Sequence, residues 1–273
     1  MKTNSYYPDE LLGKAEYMLD EYELDGKKTG VVIINTKNVS KVLAMISTDS
    51  AYRKAMDKSA EGTKSYNGSS AYWFDRIIHN SNNCSSMCDA IYHAIIAIDN
   101  ENSTHLNAVK NKDGVSDDIR RLMASRIKKS QVIETLIKYL NNPDSVQPEN
   151  VFESIACEIK GRTNPSFASK FCHFFAKAVC EESDEFPIYD SVLFKVLPRY
   201  AVLYSIPKPT LLDFNKGCDL QQSYKAYIEL VSALSKRSFV SKTGLDQLLW
   251  YYYKGRSIPQ KETFEKIKER LNP

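Results

Sequence analysis

Apolar positions recur every three or four residues along most of this chain, the period of helices buried on one face. Leu11, Leu12, Ala15, Met18, Leu19 and Tyr22 predict a first helix over about Pro8 to Glu23, with Pro8 suited to its first turn. Val31 to Ile34 is a short β-branched run, readable as a strand or as the lead-in to the next helix. Val42, Leu43 and Ile46 continue an amphipathic pattern that reaches toward Tyr52 and Met56. Ser59 to Ser70 reads as a polar loop. Tyr72 to Ile78 and Met87 to Ile98 predict two helices, the second apolar enough to be central. Asn100 to Ser116 is polar, with a turn at Asp113-Gly114. Asp117 and Asp118 then form an acidic first turn that suits a helix dipole, and one helix is expected to run on to Leu140.

The strongest break is Asn141-Asn142-Pro143-Asp144, and it places a lobe boundary at residue 147, giving lobes 1–147 and 148–273. Beyond it, helices are predicted at about Pro148–Lys160, Pro165–Ala178, Asp190–Ser205, Asp219–Lys236, Lys242–Lys254 and Pro259–Leu271. The expected architecture is mostly α, in two helical lobes, with at most a token strand.

Composition changes this picture little. The chain has 273 residues, 42% hydrophobic and 26% charged, and only ten glycines and ten prolines, fewer than a turn-rich β fold would use. A net charge of +3 neither requires nor excludes nucleic acid, because clustering of cations decides that. Six cysteines follow an N-terminal segment without an apolar core of the secretory kind, so a reduced, cytoplasmic protein is expected. No apolar run approaches the ~18 residues that span a bilayer. Cys84-x-x-x-Cys88 has the spacing of one helical turn but lacks two further ligands, so no metal is expected.

Chemistry concentrates in two stretches. The first, Asn164-Pro165-Ser166-Phe167-Ala168-Ser169-Lys170-Phe171-Cys172-His173, reads as a tight turn entering an apolar helix with one lysine near its start. The second, Phe186-Pro187-Ile188-Tyr189-Asp190-Ser191-Val192, is a loop ending in an aspartate placed to cap the next helix. Twenty residues separate Lys170 from Asp190. Taken alone, a helical lysine is ordinarily solvated and an aspartate before a helix is ordinarily a cap.

Together the two stretches resemble the helix-hairpin-helix DNA glycosylases, in a divergent form similar to the 8-oxoguanine DNA glycosylases. The resemblance covers roughly Phe152 to Gly255. It implies a two-lobed helical glycosylase-like fold and a duplex DNA partner from which one base is flipped out. It assigns Lys170 as the nucleophile that forms a Schiff base and Asp190 as its carboxylate partner. Packing among Phe167, Phe171 and Phe174 would favour the neutral amine. His173, Tyr189 and Trp250 are expected as neighbours of the site. Ser166, Ser169, Lys236, Arg237 and Lys242 are expected to hold DNA, and no cofactor is expected. A further basic group, Arg120, Arg121, Arg126, Lys128 and Lys129, reads as a solvated helix face or as added phosphate-binding surface. Leu245, Leu248, Leu249 and Tyr252 read as core.

The chain departs from this family in two places. The family's hairpin is glycine-rich, so that backbone amides approach a phosphate, whereas Pro165 to Ser169 contains none, leaving the Ser166 and Ser169 hydroxyls as substitutes. The Pro-apolar-Asp element also carries one additional residue, Tyr189. A catalytically silent nucleic-acid-binding protein therefore stands as the alternative, and a helical interaction module as a third. Proteins of this divergent kind resemble those that accompany bacterial anti-phage defence genes.

Overall fold

The computed structural model describes residues 18–48, 70–79, 84–102, 106, 119–159, 163–207 and 218–271. Within them the protein is mostly α: eleven α-helices, one 3₁₀ turn and a two-stranded sheet. The helices are α1 (Thr36–Thr48), α2 (Ser70–His79), α3 (Cys84–Asn102), α4 (Ile119–Lys129), α5 (Val132–Asn141) and α6 (Pro148–Ala156). They continue as α7 (Pro165–Val179), α8 (Ser191–Leu203), α9 (Leu220–Ser238), α10 (Lys242–Tyr253) and α11 (Lys261–Leu271). None of the helices among the described residues is long and apolar enough to cross a membrane.

The structure departs from the sequence expectations at three elements. The end of the first expected helix is instead a strand, β1 (Glu21–Leu24), paired antiparallel with β2 (Lys27–Val32). The two-residue loop Asp25-Gly26 has φ of 52° and 74°, the left-handed pair that joins twisted strands tightly. Residues 8–17 and 59–69, with Tyr52 and Met56, lie outside the described residues, as does most of 103–118. The single helix expected up to Leu140 is two helices, because Gln131 takes a left-handed conformation with φ 49° and the chain turns there. The apolar period survives the break because both helices bury a face, Met123 and Ile127 on one, Ile133 and Leu136 on the other. The helix expected to reach Lys160 ends at Ala156.

The chain falls into two compact units, and each is discontinuous: Met1–Ala55 with Tyr189–Leu212 and Ala226–Pro273, and Met56–Ile188 with Asp213–Lys225. The expected boundary at residue 147 is therefore not the observed division. The Pro143 break is a 3₁₀ turn between α5 and α6, and both helices pack within the second unit.

In the first unit the hairpin is tied to helices far along the chain. The Tyr200 hydroxyl donates to the Val32 carbonyl at 2.6 Å and lies 3.0 Å from the Tyr253 hydroxyl, all fully or nearly buried. Asn38, with no exposed surface, accepts from the Asp20 amide and donates to the Asp20 and Ile33 carbonyls, locking the hairpin onto α1. Helix α10 approaches α1 closely at Gly244, where an added Cβ would stand 2.8 Å from Val39 Cγ1 and 3.0 Å from Ser241 Oγ. Gly244→Ala is expected to lower stability by about 1–3 kcal/mol through overpacking. That outweighs the roughly 1 kcal/mol gained from alanine's helix propensity. A higher urea midpoint for the variant would contradict this.

The core of the second unit is built around α7. Phe171 and Phe175 meet Phe74 edge-on at 5.2 and 5.4 Å between centroids. Phe152 stacks on Tyr224 at 3.8 Å.

Candidate active site

Lys170 stands in the second turn of α7, a helix that Pro165 opens from its first position. Just before that helix the Asn164 amide donates to the carbonyl of Ala156, the last residue of α6, at 2.9 Å. Arg126 holds the residues that follow α6, donating to the Cys157 and Glu158 carbonyls at 2.7 and 2.8 Å. These contacts give the end of α6 and the start of α7 a defined geometry.

The Lys170 side chain is buried, with 7% of its surface exposed, and it is the sole lysine or arginine buried among the described residues. Its helical neighbours Phe167, Ser169 and Phe171 are at 1%, 0% and 0%. Burying an ammonium ion costs free energy unless it is compensated, so few lysines stand at such depth. Phe174, also expected to cover it, is only half-buried.

Asp190 is the N-cap of α8, its Oδ1 accepting from the Val192 amide at 2.7 Å. The cap expectation thus holds in detail, down to the extended backbone at the capping residue. Lys170 belongs to the second unit and Asp190 to the first, with the chain passing from one to the other between Ile188 and Tyr189. On the near side of that passage the loop is anchored: the Phe186 carbonyl accepts from His173 Nδ1 at 2.9 Å, and the Pro187 carbonyl from the Tyr224 hydroxyl at 3.0 Å. On the far side Tyr189 packs edge-on against Phe194 and Tyr227 at 5.8 and 5.7 Å.

His173 therefore serves the loop. A carbonyl can only accept, so the ring carries its proton on Nδ1. Burial pushes its pKa below the usual histidine value, outweighing the carbonyl contact that favours the charged form. The linkage sign follows from which state takes up more protons. Below about pH 6.5 the unfolded chain protonates this histidine and the folded one resists, so stability falls as pH drops through that value. His173→Asn, which can keep a donor toward Phe186, is expected to show a weaker loss between pH 7 and pH 5 in urea melts.

The expected DNA-contacting residues divide. Ser169 has no exposed surface, and its hydroxyl donates back to the Ser166 carbonyl at 3.1 Å, a bond within the helix. It cannot meet a phosphate from there, which corrects that assignment. Ser166 is half-buried. Lys236 and Arg237 are exposed and Lys242 is half-buried, all around the turn between α9 and α10. In the other basic group, Arg120 is paired with buried Asp99, Arg121 covers the Tyr92 ring at 4.5 Å, and Arg126 holds the α6 connection. Of the five, Arg121 and Lys129 are exposed and Arg120, Arg126 and Lys128 are half-buried.

Trp250 is half-buried, with the Lys254 ammonium 5.2 Å from its ring centroid. Leu245, Leu248, Leu249 and Tyr252 are core as expected, and Tyr251 and Tyr253 are buried with them. His93 stacks on Trp73 at 4.4 Å and His79 pairs with Asp75 at 3.2 Å. Among the described residues no group of three or more metal-ligating side chains converges. No family model, curated protein or solved structure matches this chain.

Proposed function

We propose that the chain is a helix-hairpin-helix DNA glycosylase with abasic-site lyase activity, acting through Lys170. The observation that carries this reading is the burial of Lys170 in the second turn of a helix that Pro165 opens. The Asp190 cap on the helix that follows supports it, since the same residue type at that spacing underlies the resemblance. The fold class is compatible, being mostly α.

The chemistry needs a neutral amine. Lys170 Nζ attacks the sugar C1′, and the C1′–N bond to the base breaks, its electron pair leaving with the base, which takes up a proton. Nζ gives up a proton and the C1′–O4′ bond opens, O4′ becoming a hydroxyl and C1′ an imine carbon. Loss of a C2′ proton then breaks the C3′–O3′ bond, and the phosphate departs with that pair. In this reading Asp190 supplies negative charge against the cationic sugar and takes up a proton. The partner is duplex DNA carrying a modified or missing base, in repair or in defence against phage.

Borohydride reduces the imine and traps the protein on DNA. Wild-type protein is expected to trap on duplex containing an abasic site, and Lys170→Gln to trap none. Equal trapping by the variant removes the assignment. The second reading, a silent nucleic-acid-binding protein, is favoured by the buried Ser169 hydroxyl and the glycine-poor turn. It predicts DNA binding that survives Lys170→Gln, with no trapping by either protein.

A further inference from the structure

Phe239 has 86% of its surface exposed, more than any other large apolar side chain among the described residues. It follows the last residue of α9 in the left-handed region, with φ 56°, where helix ends ordinarily carry glycine. The surrounding turn is tied on every side. The Val240 amide donates to the Ser235 carbonyl at 3.2 Å, and the Ser235 hydroxyl to the Val240 carbonyl. The Ser238 hydroxyl donates to the Leu234 carbonyl at 2.6 Å, and Ser241 Oγ accepts from the Gly244 amide at 2.9 Å. Ser238 and Val240, on either side of Phe239, are each only 9% exposed. One aromatic ring is thus held outward on a turn whose three serines are all hydrogen-bonded to its backbone.

The position is unfavourable twice over for the isolated protein. A side chain with a Cβ is strained in this backbone region, and the ring gains nothing from packing. From Ser235 to Lys242 the segment carries three cations, Lys236, Arg237 and Lys242, and no carboxylate. We infer that Phe239 is a wedge that inserts between neighbouring bases of DNA while Lys236, Arg237 and Lys242 meet the flanking phosphates. Single apolar side chains inserted in this way unstack a base step. A membrane anchor would instead present a broad apolar face, whereas the residues beside Phe239 are buried, hydroxylic or cationic. The inference rests on the nucleic-acid half of the reading above and is independent of chemistry at Lys170.

The test uses the full-length Lys170→Gln protein, which binds without cleaving, and duplex DNA with 2-aminopurine beside an abasic site. Binding is expected to raise 2-aminopurine fluorescence as the base unstacks. Adding Phe239→Gly is expected to remove most of that rise and weaken binding roughly 5- to 100-fold. Phe239→Trp is expected to keep both. Because glycine relieves the backbone, Phe239→Gly is also expected to melt about 2–4 °C higher, which separates loss of contact from loss of fold. Replacing Lys236 and Arg237 by glutamine is expected to reduce the salt dependence of binding, whereas Phe239→Gly leaves it unchanged.

Unchanged affinity and fluorescence in Phe239→Gly overturns the wedge, and trapping by wild type then still upholds the glycosylase reading. Phe239-dependent unstacking by a protein whose wild-type form never traps abasic DNA keeps the wedge and removes the enzyme. Absence of DNA binding at about 50 mM salt overturns the wedge, since phosphate contacts are strongest at low salt. So does Phe239-dependent sedimentation with phosphatidylserine vesicles in the absence of any DNA response.

Discussion

Lys170→Met is expected to abolish strand cleavage at abasic sites in a protein that still folds. Methionine matches the lysine stem in length and lacks the charge whose desolvation opposes burial. At a position 7% exposed, beside Phe167 and Phe171, a methionine can fill the space of the lysine stem. Removal of a nucleophile costs at least about 10³-fold in rate where the residue acts covalently. The two readouts, urea unfolding and single-turnover cleavage, should therefore move apart. A variant that cleaves normally but unfolds several degrees earlier would give Lys170 a structural role instead.

Arg120→Met carries the largest expected cost to stability. Asp99 on α3 has a side chain only 3% exposed, and its carboxylate accepts from Arg120 Nε at 2.8 Å, from Arg120 Nη2, and from the Leu106 amide at 3.0 Å. Arg120 stands in the first turn of α4, so the pair joins α3 to α4. Removing the guanidinium takes the ion-pair partner from a buried carboxylate, which costs about 3–5 kcal/mol. The double variant Arg120→Met/Asp99→Leu should recover much of that loss, because an apolar pair carries no desolvation penalty. If the single variant loses less than about 1 kcal/mol, in the range of an exposed pair, the buried pair is not what secures α3 to α4.

The sequence revealed the C-terminal helices well because their starts and stops carry local chemistry. Pro165 opens α7, Asp190 caps α8 and Ser241 caps α10, each within a residue or two of the predicted boundary. The N-terminal hairpin was missed because Met18, Leu19 and Tyr22 happen to fall at helical spacing. Asp25-Gly26, between the two strands, is a strong short-range hairpin signal that the helical spacing obscures. The break at Gln131 was not legible, since neither glycine nor proline marks it and the apolar period runs straight through.

The discontinuous units were beyond any local pattern. The bond from Tyr200 to Val32 closes a separation of 168 residues, and periodicity holds no record of which faces meet. Within the candidate site, the burial of Lys170 was foreseeable from the phenylalanines around it. The loss of Ser169 to a bond inside its own helix was not, because one turn of a helix offers a hydroxyl both a carbonyl and a solvent-facing alternative. Phe239 falls between the helices predicted at Asp219–Lys236 and Lys242–Lys254, and only the backbone shows that its side chain stands outward on a left-handed turn.

The central claim concerns a single nitrogen atom, and peptide mapping of the borohydride-reduced adduct tests it most directly. Trypsin does not cut at a lysine bearing a sugar remnant, so the account predicts one modified peptide, Thr163 to Lys177, left uncut at Lys170. A modified peptide from elsewhere, or no adduct on any abasic or lesion-bearing duplex, would contradict it.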